Sequence, residues 1–209
     1  MGNVAALFGR GGEQATRPVG FKAMVGAGCY WGTEKFVRSH KFHHGSVVDV
    51  RVGFAGGEKE KPTYREVCSG KTGHVEVAEI TYASQRPSDM YRELLELFFR
   101  FHDPTTLDRQ GNDRGSQYAS VIFCYGPVQR QIAELTINDL QKAMDSKGHT
   151  FAGDKVVTQV RDAPTFYPAH EDHQNYLEKN PGGYCNHRFY LSAWPGTTDS
   201  LPPELASTA

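Results

Sequence analysis

The chain has 209 residues, of which 38% are hydrophobic and 22% charged, and its formal net charge at pH 7 is −1. This composition is typical of a soluble globular protein with one domain, and the balanced charge argues against nucleic acid as a partner. The densest apolar patch, LLELFF, is far too short to span a bilayer, so we expect no membrane partner either.

The N-terminal stretch MGNVAALFGRGGEQATRP lacks a basic segment followed by a long apolar one, which argues against a secretory signal. We interpret residues 1–20 as a flexible leader, residues 21–185 as a single domain and residues 186–209 as a C-terminal tail. The 4 cysteines are too few and too far apart for a disulfide framework or a paired zinc motif. A reducing compartment fits this cysteine usage, and we therefore expect a cytoplasmic protein.

Alternating hydrophobic residues predict strands, and hydrophobic residues three or four positions apart predict helices. In chain order the patterns predict a strand over 21–26, a helix over 30–40, strands over 46–54 and 74–82, a helix over 88–101 and a strand over 117–125. Further on they predict a helix over about 127–144, a strand over 155–160 and a short helix over 170–179.

The order strand, helix, strand, strand, helix, strand is typical of the ferredoxin-like split βαβ fold. We therefore predict an α/β (α+β) two-layer sandwich with extra C-terminal helices and a long irregular tail. In the second strand we expect Val48, Val50, Val52 and Phe54 to share one face. Ser88 is the expected N-cap of the second helix.

The stretch GAGCYWGTEKF places Cys29 where the first strand gives way to the first helix. Unpaired N–H groups at a helix N-terminus favour the thiolate, which is the reactive form of cysteine. Tyr30 and Trp31 offer an apolar wall beside the thiol, and Gly28 permits a tight turn before it. These local features support a reactive thiol and an inert small residue in a turn about equally.

Two distant segments add groups that could assist a thiol. The stretch YREVCSGKTGHVEV carries Tyr64, Cys68 and Glu76 from a loop into a strand, and DRQGNDRGSQY carries Asp113 and Tyr118 into another. Taken singly, each of these residues has an ordinary structural interpretation as an exposed carboxylate, a turn former or a half-buried ring.

Together with GCYWG at 28–32, these segments resemble the peptide methionine sulfoxide reductases of the A type. The stretch FYPAHEDHQNYL at 166–177 is similar to another segment of the same family, so the resemblance runs from about residue 21 to residue 185. It implies a single catalytic domain that reduces the S epimer of methionine sulfoxide, protein-bound or free, to methionine in the repair of oxidative damage. It also implies a monomer that binds no cofactor and no metal.

The resemblance assigns a role to each site residue. Cys29 attacks the sulfoxide sulfur, and Glu76 supplies the proton that the oxygen needs in order to leave. Tyr64 and Tyr118 donate hydrogen bonds to the same oxygen, and Asp113 holds the backbone amide of the substrate.

The methyl group of the substrate is expected between Tyr30 and Trp31, where Tyr30 replaces the phenylalanine that is commonest in the family. Attack leaves Cys29 as a sulfenic acid, which condenses with a nearby thiol. The resemblance assigns this recycling role to Cys185, and the chain has no later cysteine. We therefore expect one disulfide, between Cys29 and Cys185, that thioredoxin or a similar dithiol protein reduces.

The remaining candidates have structural interpretations. Cys124 lies in an apolar strand and is expected in the core, and Cys68 is expected to be structural. The stretches HKFHH at 40–44 and HEDH at 170–173 have metal-like spacing, but no partner ligands are evident and we expect no metal.

Two alternatives remain open at this level: another thiol enzyme, such as a peroxidase or an acyl-transfer hydrolase, and a redox-sensing module without catalysis.

Overall fold

The computed structural model describes residues 20–148, 150–197 and 201–206, so the predicted leader lies outside the described residues except for Gly20. The strands are β1 (Phe21–Ala27), β2 (Ser46–Ala55), β3 (Val75–Ala83), β4 (Arg109–Gln110), β5 (Asp113–Arg114), β6 (Ser120–Cys124), β7 (Gln159–Asp162) and β8 (Tyr167–Pro168). The α-helices are α1 (Tyr30–Ser39), α2 (Tyr64–Cys68), α3 (Pro87–Phe101), α4 (Pro127–Lys147), α5 (Tyr176–Lys179) and α6 (Pro203–Ala206). Short 3₁₀ helices span Ser116–Tyr118 and Glu171–His173.

Six strands form one sheet in the order β7-β6-β1-β3-β2-β8, and β4 pairs with β5 in a separate hairpin. The central strands β6, β1, β3 and β2 pair antiparallel with one another, and β7 pairs in parallel with β6 at one edge. This central order is the one that a split βαβ chain produces. The predicted ferredoxin-like sandwich is therefore confirmed.

The main hydrophobic core lies between one face of the sheet and helices α1, α3 and α4. Helix α3 carries the residues that the helical periodicity predicts as buried, namely Met90, Leu94, Leu97 and Phe101. The helix begins at Pro87, with Arg86 as N-cap and no side-chain cap. The prediction of Ser88 as N-cap was wrong, because Pro87 already occupies the first helical position. Proline suits this position because a residue there makes no intrahelical hydrogen bond through its N–H.

Strand β2 departs from strict alternation. Its register against β3 shifts between Val47 and Asp49, and Val48 is 43% exposed. The extra residue of a β-bulge reverses the side on which the preceding side chains point, so Val47 packs against the core in place of Val48. The other residues of the predicted face are buried: Val50, Val52 and Phe54.

The C-terminal third differs most from the predicted elements. The strand expected over 155–160 begins at Gln159, and the helix expected over 170–179 is divided by Asn175, whose φ is 53°. Beyond residue 185, Leu201 and Leu205 are buried in the main core, and Trp194 packs against it. In the part of the chain that the structure describes, no helix is long and apolar enough to cross a membrane.

Candidate active site

Cys29 occupies the N-cap position of α1, directly after the corner that ends β1. Gly28 has a φ of 89°, and a Cβ there would lie 2.5 Å from Cβ of Gln110. Glycine is therefore required by both the backbone conformation and the close approach of the β4–β5 hairpin. The corner places Cys29, which is 7% exposed, in the lining of a small cavity.

The cavity has a volume of about 140 Å³ and gathers residues from six separate segments of the chain. Its walls are formed by Cys29, Tyr30, Trp31, Tyr64, Glu76, Asp113, Tyr118 and Tyr184. The structure thus brings together every predicted site residue except Cys185, which directly follows Tyr184. Tyr184 itself was missed by sequence reasoning, and its position next to the predicted recycling cysteine was the only available signal.

Glu76 is the buried acid of the site. It lies on β3, is 2% exposed, and its Oε2 accepts a hydrogen bond of 3.1 Å from the backbone N–H of Tyr30. The pKa of the Glu76 carboxyl is raised to about 8, chiefly by burial; the hydrogen bond from the Tyr30 N–H opposes this rise, and the charge of Asp113 adds a smaller increase. Glu76 therefore holds its proton at neutral pH and can act as a general acid.

The pKa of the Cys29 thiol is raised well above its ordinary value, first by burial and then by the charge of Glu76. The backbone N–H groups of Trp31 and Gly32 lower it, as expected at a helix N-terminus, but they do not outweigh burial. Because the negative charge of Glu76 disfavours the thiolate, a proton on Glu76 makes the thiolate easier to form. The protonation states of Glu76 and Cys29 are therefore coupled.

Tyr64 and Tyr118 are the hydroxyl donors of the cavity. Tyr64 is the first residue of α2, whose N-terminus is held by a capping box between Thr63 and Glu66, and Tyr118 ends the first 3₁₀ helix. Burial raises the pKa of both phenols, so their hydroxyls keep their protons and can donate to an oxygen that gains negative charge.

Tyr30 and Trp31 form the aromatic wall. Tyr30 is 1% exposed, and its hydroxyl lies 2.9 Å from Nδ1 of His173, a polar partner that accommodates the extra oxygen. Trp31 stacks on Tyr176 with ring centroids 3.8 Å apart and on His173 at 5.6 Å. Burial lowers the pKa of His173, which favours the neutral ring. His173, which sequence reasoning considered only as a metal ligand, is thus part of the wall.

Asp113 joins the cavity to the segment that carries Cys185. Its Oδ1 accepts a hydrogen bond of 3.1 Å from the Tyr184 hydroxyl, and its Oδ2 accepts one of 2.7 Å from Nδ2 of Asn186. Cys185 lies between these two residues as a partly buried free thiol. Burial raises the pKa of the Asp113 carboxyl, and the two hydrogen bonds lower it.

Neither of the other two cysteines lines the cavity. Cys124 is 3% exposed and belongs to the main core, as predicted, and burial raises the pKa of its thiol to about 11. Cys68 ends α2 as an exposed thiol and hydrogen-bonds with the hydroxyl of Tyr64. Among residues 20–148, 150–197 and 201–206, no group of three or more His, Cys, Asp or Glu side chains converges as a metal site.

A buried cysteine and a protonated carboxyl share a cavity with hydroxyl donors, and none of the described residues that line this cavity is a histidine. This arrangement is typical of a thiol-dependent oxidoreductase. The profile of the family described as peptide methionine sulfoxide reductase matches residues 21–195. The chain belongs to this family, in its A type, and its activity is the reduction of methionine sulfoxide.

Relatives and solved structures agree with this assignment. The chain is 42% identical over 187 residues to a peptide methionine sulfoxide reductase MsrA of Azotobacter vinelandii, covering 89% of this chain and 79% of the relative. A relative of the same name from Natronomonas pharaonis is 45% identical over 164 residues, covering 78% and 85%.

The reduced form of Mxr1 from Saccharomyces cerevisiae superposes with a TM-score of 0.68 at 34% identity, covering 82% of this chain and 92% of that one. Methionine sulfoxide reductase A of Corynebacterium diphtheriae superposes with a TM-score of 0.61 at 36% identity, covering 78% and 76%. The alternatives of a peroxidase, an acyl-transfer hydrolase and a non-catalytic redox sensor are therefore set aside.

Proposed function

We propose that the protein reduces the S epimer of methionine sulfoxide, free or within a protein, with Cys29 as nucleophile and Glu76 as proton donor. The observation that carries this proposal is the buried Glu76 carboxyl, whose pKa of about 8 keeps it protonated in the same cavity as the thiol. A sulfoxide is neutral, and its oxygen leaves readily only when it is protonated.

In the first step the Cys29 sulfur attacks the sulfoxide sulfur, and Glu76 protonates the oxygen. The oxygen passes to Cys29, so the substrate sulfur is reduced by two electrons to methionine and Cys29 is oxidised to a sulfenic acid. The proton of the thiol ends on the sulfenic acid by way of Glu76, so atoms and charge balance. Tyr64 and Tyr118 donate hydrogen bonds to the oxygen as it gains charge.

The substrate is held at two points. Its S-methyl group lies against the rings of Tyr30 and Trp31, where burial contributes about 1 kcal/mol. Its backbone amide donates to Asp113, the carboxylate at the edge of the cavity. Both contacts orient the substrate sulfur toward Cys29, which converts binding energy into correct geometry for attack.

In the second step the Cys185 thiol attacks the sulfenic acid of Cys29, a disulfide forms and water leaves. Thioredoxin or a similar dithiol protein then reduces the disulfide, so the enzyme needs no bound cofactor. Support comes from the placement of Cys185 between two residues that contact Asp113. We propose that the protein is a cytoplasmic monomer in which residues 21–185 carry the catalytic groups, while Leu201 and Leu205 of the predicted tail pack into the core of the same domain.

The test is the release of methionine from the separate S and R epimers, with dithiothreitol as reductant. Wild type should act on the S epimer alone, and Cys29→Ser should be inactive. Cys124→Ala removes a core thiol that does not line the cavity, so it serves as the matched control for loss of a thiol and should retain activity. Failure of wild type to reduce the S epimer, or equal rates on both epimers, would overturn the proposal.

The recycling assignment is tested with the same assay and a change of reductant. Cys185→Ser should keep activity with dithiothreitol, which reduces the sulfenic acid directly, and lose it with thioredoxin. Full thioredoxin-linked turnover in this variant would refute the role of Cys185 without affecting the role of Cys29.

A further inference from the structure

Both oxygens of Asp113 are occupied by residues on either side of Cys185. The Tyr184 hydroxyl donates to Oδ1 at 3.1 Å, and Nδ2 of Asn186 donates to Oδ2 at 2.7 Å. Residues 184–186, which we name the recycling segment, are thereby attached to the carboxylate that is proposed to hold the substrate amide. One carboxylate thus has two prospective occupants.

Asn186 is the better anchored of the two attachments. The same Nδ2 also donates to the backbone oxygen of Gln110 at 2.7 Å, so both hydrogens of the amide are used. The next residue, His187, is buried and its Nε2 lies 2.6 Å from the backbone oxygen of Ala27, two residues before Cys29. Tyr184 is 48% exposed and has the weaker hold. Asn186 therefore sets where Cys185 lies relative to the hairpin and the cavity.

We propose that Asn186 is a positioning residue for the recycling thiol and that the substrate and the recycling segment compete for Asp113. This inference rests on the proposed function. A substrate amide that binds Asp113 displaces Tyr184 and Asn186 and frees Cys185 from its position beside the cavity. When methionine leaves, Asp113 takes back the segment and brings Cys185 to the newly formed sulfenic acid of Cys29.

The competition has a chemical purpose. A thiol held near the sulfenic acid reacts as an intramolecular partner, so its disulfide closes faster than that of a thiol on an unattached chain. Each Asp113 oxygen already accepts one hydrogen bond from the segment and Tyr184 lines the cavity, so a substrate that enters the cavity and donates to Asp113 competes with these donors for the same oxygens. Sharing Asp113 separates the two steps in time.

The first experiment compares Asn186→Ala with Asn180→Ala. Asn180 donates to the backbone oxygen of Tyr176 and touches neither Asp113 nor the cavity, so it is the matched control. The enzyme reacts with one equivalent of the S epimer, and two quantities are measured over time. Methionine release reports the first step, and the loss of free thiols reports formation of the disulfide. In Asn186→Ala the Cys29–Cys185 disulfide should form about tenfold more slowly, because the variant lacks one hydrogen bond to a charged acceptor. Its KM for the S epimer should fall, because the segment no longer competes as strongly for Asp113. Asn180→Ala should behave as wild type in both.

The two readouts separate positioning from a loss of structure, which would raise KM and slow both steps together. Disulfide closure as fast as in wild type, or a raised KM, would overturn the proposal. If wild type releases no methionine, it is the proposed function that fails. If wild type is active and Asn186→Ala closes normally, only the inference about Asn186 fails.

A second measurement does not depend on the folding of an Asn186 variant. In Cys29→Ser, which binds the substrate without turnover, alkylation of Cys185 by iodoacetamide is followed by peptide mass spectrometry. Saturating S epimer of an N-acetylated methionine sulfoxide amide should raise the alkylation rate about tenfold, because the segment is displaced from Asp113. The R epimer of the same compound at the same concentration serves as the control and should leave the alkylation rate unchanged. An unchanged or lower rate at Cys185 would overturn the competition.

Discussion

Replacing Glu76 by glutamine removes the acid of the site and nearly preserves its shape. The glutamine oxygen can still accept the Tyr30 N–H that lies 3.1 Å from Glu76 Oε2, but the side chain can no longer transfer a proton. General acid catalysis contributes on the order of 10²–10⁴ in rate. We therefore expect the rate of methionine release from the S epimer to fall by about that factor at neutral pH.

The pH dependence follows from the pKa of about 8. In wild type the rate should fall as the pH rises through this value, because the acid is lost and the new charge raises the pKa of Cys29 further. Glu76→Gln should lack this alkaline decline. The control is Glu79→Gln, on the same strand but in a surface contact with Lys22, which should keep the wild-type profile.

The same pKa predicts an effect on stability. The folded-state pKa of Glu76 is raised from an ordinary 4.5 to about 8, so the folded state binds this proton more tightly than the unfolded state. Its stabilising contribution is fully present below about pH 4.5, declines as the pH rises, and is lost above about pH 8. At 1.36 kcal/mol for each pKa unit, the loss is on the order of 5 kcal/mol.

Urea unfolding of wild type and Glu76→Gln across this range measures the loss. The variant should gain in stability relative to wild type as the pH rises from acidic to mildly alkaline. Two results would refute the assignment of a buried, protonated Glu76. One is a difference in unfolding free energy between the two proteins that does not change with pH. The other is a Glu76→Gln enzyme whose rate still declines at alkaline pH.

Three further predictions concern the wall, the corner and the core. Tyr30→Phe removes the hydroxyl that pairs with His173 and should lower the free energy of unfolding by about 1 kcal/mol. In a protein that already carries His173→Ala, Tyr30→Phe should lower the free energy of unfolding much less. An equal loss in both proteins would contradict the pairing. Gly32→Ala places a Cβ 2.0 Å from Nδ1 of buried His187 and should cost about 1–3 kcal/mol in urea unfolding, whereas wild-type stability would contradict the packing. Leu94→Ala should lower the free energy of unfolding by about 2–5 kcal/mol and leave kcat unchanged, because Leu94 is a buried core residue. A lower kcat with wild-type stability would contradict its role in the core.

Local patterns determined most of the fold. Hydrophobic periodicity depends on residues within a few positions of one another, and it located α1, α3, α4 and the central strands to within a few residues. It also identified the buried face of α3. It failed at Val48, because the register shift that turns this residue outward depends on how β2 pairs with β3. It failed at Ser88, where the fixed φ of Pro87 starts the helix earlier.

The sequence motifs identified the predicted site residues, but each motif alone was compatible with both a catalytic and a structural role. The strand-to-helix corner marked Cys29, and the resemblance of several segments in the right order marked its partners. Neither could show Tyr184, Asn186 or His173 at the site, because their contacts join positions up to 143 residues apart in the chain.

What the sequence by itself determined is which residues are present and which local elements carry them. Only the tertiary structure decided the chemistry of Glu76, whose raised pKa comes chiefly from burial, and the attachment of the Cys185 segment to Asp113. The physical reason is that burial and charge proximity depend on distance in space. A carboxyl on an alternating strand has an ordinary pKa or a raised one according to what the rest of the chain packs over it.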